Sequence, residues 1–255
     1  MIKSTCYIAQ NTFKETIRNK ILYNILLVAG IALVLSISFG DLSVFSRGQV
    51  MADFGLATMS LTGLLLAVFI GVGMLGVEIT TKTIYGVITK PVTRTSFILG
   101  KFFGLLATLM LNFILIAAVF FITIRVMGAG QSVTMFNAVL LLMIEMIVIV
   151  AAAIFFSSFT TPTLSAIFTL GFYITGHLND LVNIGAEQQN NPVWRSILKG
   201  LFYILPNLEN FNIRTAVVYS LPVPSGFIAM AVVYGFLYAS ILLLLSMALF
   251  SRKDL

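Results

Sequence analysis

The run LLLMIEMIVIVAAAIFF, residues 140–156, decides which solvent this chain can fold in. A helix that is apolar on every side has no face to offer water, so it lies in a large core or in a bilayer. Five further apolar stretches accompany it. Reading all six as membrane spans places them at residues 21–39, 57–77, 97–124, 136–156, 162–177 and 226–250. Crossing the ~30 Å hydrocarbon layer takes about 20 helical residues. The third run is long enough to tilt or project, and the fifth, at ~24 Å by a 1.5 Å rise, is short. Composition separates bilayer from core. Of the 255 residues 59% are hydrophobic and 9% charged, against roughly 25% charged in soluble domains. The fold class expected is therefore all-α, a polytopic membrane protein of six transmembrane helices forming a single domain over residues 1–255.

Flanking charge orients the spans. With both termini inside, ten basic residues lie on the inner side: Lys3, Lys14, Arg18, Lys20, Lys82, Lys90, Arg94, Lys101, Arg252 and Lys253. Five lie outside: Arg47, Arg125, Arg195, Lys199 and Arg214. That excess obeys the positive-inside rule, so the chain is expected N-in and C-in in a cell (inner, cytoplasmic) membrane. Residues 1–20 place Ile2, Cys6, Ile8, Ala9, Phe13 and Ile17 on an imperfect apolar face. They predict an interfacial helix on the inner leaflet, its lysines near anionic headgroups. The first apolar run is too long for a signal peptide and no A-x-A-like site follows it, so it is expected to stay attached.

Between the fifth and sixth runs, Trp194, Ile197, Leu198, Leu201, Phe202 and Leu205 recur at helical spacing. An amphipathic helix over 193–205 is expected on the outer leaflet, with Trp194 and Tyr203 at headgroup level. The other prominent non-spanning stretch is residues 78–101, EITTKTIYGVITKPVTRTSFILGK. Ile84, Val87 and Ile88 fall at helical spacing, Pro91 stops that helix, and Thr93 or Thr95 can cap the next. A short amphipathic helix over 79–90 is expected there, held at the inner face between two spans.

Several chemistries are excluded. Gly71, Gly73 and Gly76 match the dinucleotide pattern G-x-G-x-x-G, but that motif needs a preceding strand, and these glycines close a span. Close helix approach is the better use for them. Gly100 and Gly104 likewise permit backbone contact. No G-x-x-x-x-G-K-[ST] occurs, so the chain cannot cradle ATP phosphates in the P-loop manner. One histidine, His177, rules out H-E-x-x-H, and no metal or cofactor site is expected in this chain. One cysteine, Cys6, rules out an internal disulfide framework. The basic residues flank apolar runs, so nucleic acid is not expected as a partner.

Two polar residues sit within spans. Glu145 in mid-span must face protein or water. It lies either on a substrate path or protonation switch, or it is hydrogen-bonded to a neighbouring helix through Asn112 or a hydroxyl. Asn112 reads as glue between helices or as a substrate contact. His177, closing a helix near Asn179 and Asp180, reads as a capping or interfacial residue. Glu78, directly after the second span, can cap the amphipathic helix or pair with a basic residue.

The blocks TFKETIRNKILY (12–23), EITTKTIYGVITKPVTRTSFILGKFFG (78–104), LPNLENFNI (205–213) and the terminal SRKDL resemble permease subunits of ABC-2 type transporters. The likeness extends to the branch that includes permeases linked to multicopper enzyme maturation. The resemblance implies a six-helix subunit that forms a dimer, expected to be of identical chains, on two cytoplasmic ATPase subunits holding ATP and Mg. It further implies a connecting helix at 12–20 and outer re-entrant or interfacial helices at 178–206. The coupling helix would comprise Thr81, Lys82, Thr83, Ile84, Tyr85, Val87, Ile88 and Lys90, with Glu78 linking it to the second span. Trp194, Asn207, Glu209 and Asn210 are the outer-face candidates.

The function expected is an export-type permease that is not itself an enzyme and moves a hydrophobic or amphipathic substrate. The alternative is an ATP-energised accessory acting on a periplasmic partner, docked on residues 178–225. A proton-coupled carrier working through Glu145 is a third reading, disfavoured by the missing internal repeat.

Overall fold

A computed structural model of the chain describes residues 2–41, 47–80, 93–127, 132–189 and 191–251. Among these the structure is all-helical. In chain order the helices are α1 (Ile2–Ile17), α2 (Lys20–Asp41), α3 (Arg47–Thr80), α4 (Arg94–Val126) and α5 (Val133–Phe159). They continue with α6 (Pro162–His177), α7 (Asn179–Gln188), α8 (Pro192–Ile204), a 3-10 turn (Leu208–Phe211), α9 (Arg214–Val218) and α10 (Phe227–Ser251).

Five helices are long and apolar enough to cross a membrane: Lys20–Asp41, Arg47–Val72 within α3, Arg94–Val126, Val133–Phe159 and Phe227–Ser251. The remaining expected span, α6, forms with the bounds read from sequence but has only 16 residues. Helix α3 begins ten residues before the expected 57. Its first turns carry Arg47, Gln49 and Asp53, which read as loop. Pairing makes them helical: Arg47 meets Asp41 at 2.6 Å, Asp53 meets Arg214, and Met51 and Ala52 are buried between them.

Helix α5 is the centre of the bundle. Met146 to Ile154 are almost wholly enclosed by α3, α4, α6 and α10. Around it, α2, α6 and α10 turn continuous apolar faces outward, among them Leu27, Ile31, Val34, Ile167, Ile174, Val233, Leu237 and Leu244. Such belts suit a hydrocarbon surround and would be untenable in water. Helix boundaries follow local chemistry. Thr93 caps α4, its oxygen accepting from Ser96 N–H at 3.3 Å, and Ser132 caps α5. Pro162 opens α6 at a position where its missing N–H is harmless.

The amphipathic N-terminal helix packs along α4, with Ile8 and Ala9 of its apolar face over Gly100 and Gly104. Cys6 and Tyr7 are exposed, and Thr12 and Thr16 are buried against α4. Close approach, rather than apolar area, sets this packing. A Cβ at Gly104 would lie 2.6 Å from the Ala9 carbonyl oxygen, and one at Gly100 would lie 3.0 Å from that of Thr5. Two glycines one helical turn apart thus form the groove that α1 occupies. At the same end, Arg94 donates to the Phe250 and Ser251 carbonyls at 3.2 and 3.0 Å. A guanidinium on the last carbonyls of α10 satisfies acceptors that a helix end leaves open.

Residues 81–92 lie outside the described residues, and with them the expected coupling helix beyond Thr80. The groove on α4 gives a direct test. Gly104→Val should cost about 1–3 kcal/mol by overpacking and lower the melting temperature in detergent. Gly30→Ala, which meets open space, should leave it unchanged or raise it slightly.

Candidate functional site

The α5–α6 hairpin builds the site. Its turn is two residues, Thr160 and Thr161, so the two helices run back along each other in fixed register. Near the turn, the Ser157 and Ser165 hydroxyls lie 2.7 Å apart. Glu145 and His177 are each twelve residues further from the turn, or ~18 Å along either helix. They meet there: His177 Nε2 is 2.8 Å from Glu145 Oε1. Glu145 is fully buried.

The other ring nitrogen, His177 Nδ1, faces Glu209 Oε2 at 3.1 Å. A neutral imidazole has one N–H donor, and ionised carboxylates only accept. Both bonds can therefore form only if His177 is an imidazolium or one carboxyl keeps its proton. The imidazole is a bridge joining α5, α6 and the 3-10 turn, with the Tyr173 ring edge-on to it at 4.5 Å between centroids. Tyr173 Oη in turn reaches Ser60 Oγ of α3 at 3.2 Å.

Glu209 is held in place by its own turn. Asn207 Oδ1 accepts from the Glu209 N–H at 3.1 Å. The Asn207 N–H donates to Tyr234 Oη at 2.9 Å and its side-chain amide to Asp180 at 3.2 Å. Leu208 and Phe211 are fully buried and plug the turn into the bundle. Leu208 seats over Gly176, where a Cβ would come within 2.6 Å of its Cγ. Asn212 donates to Glu209 Oε1 at 2.9 Å.

Arg214 at the start of α9 closes the arrangement. Its Nε and Nη2 both donate to Asp53 of α3, the latter bond measuring 2.8 Å. The hydrogen bond to Asp53 raises the Arg214 pKa above its ordinary value, outweighing partial burial. Arg214 therefore stays charged at every pH below the arginine range. Leu56, Ser60, Ala138, Leu142, Glu145, Tyr173 and His177 enclose, with residues 211–214, a chamber of about 150 Å³. A wider cleft of about 510 Å³ shares Asn212 and Arg214 with it and extends past Asp53, Phe54 and Tyr219.

Comparison with known protein families matches residues 6–255 to "ABC-2 family transporter protein". The chain belongs to the ABC-2 transporter family. A search of curated proteins gives no match. The family supplies the membrane subunit of an ABC transporter, which identifies this multi-pass chain as a permease component rather than the ATPase.

Within this ABC-2 subunit the residues expected to matter are distributed unevenly. Glu145, Asn207 and Glu209 come together at the cluster. Asn210 sits half-buried in the same turn. Asn112 does not reach Glu145: it is buried and donates within its own helix to the Thr108 carbonyl at 2.6 Å. Trp194 is exposed on α8 and lines neither cavity. Glu78 lies in the last turns of α3. Thr81, Lys82, Thr83, Ile84, Tyr85, Val87, Ile88 and Lys90 lie outside the described residues. Asp53, Arg214, Tyr173 and Ser60 complete the site and were not selected from sequence, while His177, read there as a capping or interfacial residue, is the bridge between Glu145 and Glu209. Two signals were available: a buried acid demands a partner, and a two-residue turn fixes which residue faces it.

Removing one partner of a buried charged pair typically costs about 3–5 kcal/mol, whereas replacing both by apolar groups can be neutral. His177→Leu should therefore lower the melting temperature steeply, and adding Glu145→Leu should recover most of the loss. The Asp53–Arg214 pair is about two-fifths exposed on each side, so solvent screening limits it to about 1 kcal/mol or less. Asp53→Asn should shift the melt little, by less than His177→Leu, and its effect should shrink in high salt.

Proposed function

We propose that this chain is the permease subunit of an export-type ABC transporter, with six spans, both termini cytoplasmic, and its energy supplied by a separate cytoplasmic ATPase. The family match over residues 6–255 carries the reading. Support for the orientation comes from the charge count and from the clustering of α1, the start of α4 and the end of α10 at one end of the bundle. In this scheme α6 and α7 together complete the fifth crossing, and α8 lies in the outer leaflet. Its apolar residues Trp194, Ile197, Leu201 and Ile204 are exposed, as a lipid-facing helix requires.

The segment Thr81–Lys90 is the proposed coupling helix, docking in a groove of the ATPase. Glu78 joins it to α3. Two permease chains, taken as identical, pair in the inner membrane and move a hydrophobic or amphipathic substrate. The apolar groove between α2 and α3, about 290 Å³ and lined by Ile25, Val28, Leu61, Leu65 and Phe69, suits acyl chains or a second subunit.

The decisive experiment purifies the chain with its cognate ATPase in nanodiscs and measures ATP turnover. Scrambling residues 81–90, or the double change Ile84→Asp/Ile88→Asp, should abolish co-purification and reduce stimulated turnover at least tenfold. Unchanged association and turnover would overturn the coupling assignment.

A further inference from the structure

Pairing leaves one atom of the cluster unaccounted for. Glu145 Oε1 accepts from His177, while Oε2 is buried and has no hydrogen-bond partner among the described residues. A buried carboxylate oxygen without a donor keeps its full desolvation cost. The charged groups around the chamber do not supply one. Glu145 faces it from α5, His177 from α6 and Arg214 from α9. Glu209 of the 3-10 turn and Asp53 of α3 lie one contact behind. Arg214 is committed to Asp53 through two donors, and His177 stands between two carboxylates. Three carboxylates therefore face one guanidinium and one imidazole. With the three carboxyls ionised and the imidazole protonated, the set lacks one positive charge.

We propose that the chamber is a binding site for a protonated primary amine, seated against Glu145 with the Ser60, Tyr173 and Asn212 oxygens as further acceptors. An ammonium brings the missing charge and three N–H donors. Tyr173 and Phe211 are part of the wall, and aromatic rings attract a cation placed over their faces. A volume of about 150 Å³ admits a head group of a few heavy atoms and excludes an acyl chain. The wider cleft shares Asn212 and Arg214 with the chamber, and the rest of the guest would extend toward it, along a wall that includes Val50, Phe54 and Val218. An anion would meet more carboxylates than cations. A metal ion fits poorly, because both imidazole nitrogens are already bound to carboxylates. The amine can belong to a small solute or to the head of an amphiphile. That the amphiphile is transported cargo rests on the permease reading; the site itself does not.

The test uses the full chain in phosphatidylcholine nanodiscs, titrated calorimetrically at pH 7 with ethylammonium, octylammonium, octyltrimethylammonium and octanol. Octylammonium should bind saturably and at least tenfold more tightly than its trimethylated counterpart, which cannot donate hydrogen bonds. Glu145→Gln should weaken it at least tenfold and leave octanol partitioning unchanged. Because that change also disturbs the His177 bridge, Ser60→Val serves as the second variant. It narrows the chamber from α3 without touching the carboxylates, and should weaken octylammonium several-fold while lowering the melting temperature only by what loss of the Ser60–Tyr173 hydrogen bond costs. Ethylammonium binding as tightly as octylammonium assigns the site to small amines, and its failure to bind assigns the site to amphiphiles. Equal uptake of octylammonium by the wild type and both variants, or uptake no stronger than that of octanol, overturns the proposal. No ATPase is present in the titration, so loss of ATPase coupling and loss of the amine site are read separately.

Discussion

A carboxyl group in the middle of an apolar helix is the constraint that shapes this bundle. Placing Glu145 at such a depth costs about 2.5–3.5 kcal/mol on insertion scales, and only a polar partner at the same level offsets it. The α5–α6 hairpin brings that partner by register alone. It also explains why α6 is short. The helix ends at His177, level with Glu145, and the chain then turns into α7. The first half of α5 would be left uncovered on that side. The Leu208–Phe211 turn and α9 fill the space, burying Phe211 and Val217 and bringing Glu209 to the imidazole.

The remainder of the bundle is joined by a different physics. Lipid tails are as apolar as leucine, so burying hydrophobic area between helices gains little in a bilayer. Contact distance matters more. Gly100 and Gly104 let α1 approach α4 backbone to backbone, and Gly71 admits the Ala153 methyl of α5 at 2.7 Å from where a Cβ would stand. The G-x-G-x-x-G of the sequence lies inside one continuous helix, with no strand before it among the described residues. Its first glycine is a contact between helices rather than a nucleotide turn.

Span existence and position were legible because periodicity and hydropathy report them directly: α2, α4, α5 and α10 lie within three residues of the expected bounds. The start of α3 was not, because Asp53 and Arg47 read as polar loop until their partners are known. Glu145 was legible as a residue needing a partner, yet the partner was sought at Asn112 or a hydroxyl; Asn112 satisfies itself on its own helix, and the partner is His177. Glu209 was legible as an outer-face candidate, but not as a partner of the buried acid. That it meets Glu145 through His177 depends on a turn length and a returning segment, and neither leaves a periodic trace.

Helix α3 connects the two regions that carry the functional proposals. Asp53, Leu56 and Ser60, near its start, line the cleft and the chamber. Glu78, in its last turns, leads directly into the segment assigned to the ATPase. The element between them is a single unbroken helix of 34 residues, ~50 Å long. Coupling between distant sites requires an element that both sites bias. A guest against Ser60 changes what α3 contacts at one end, and a coupling helix pushed by an ATPase changes it at the other. The reverse dependence follows from linkage: whatever shift of α3 alters the chamber's affinity must itself be favoured or opposed by the guest to the same degree. In the proposed transporter, the route from nucleotide to cargo runs along this helix.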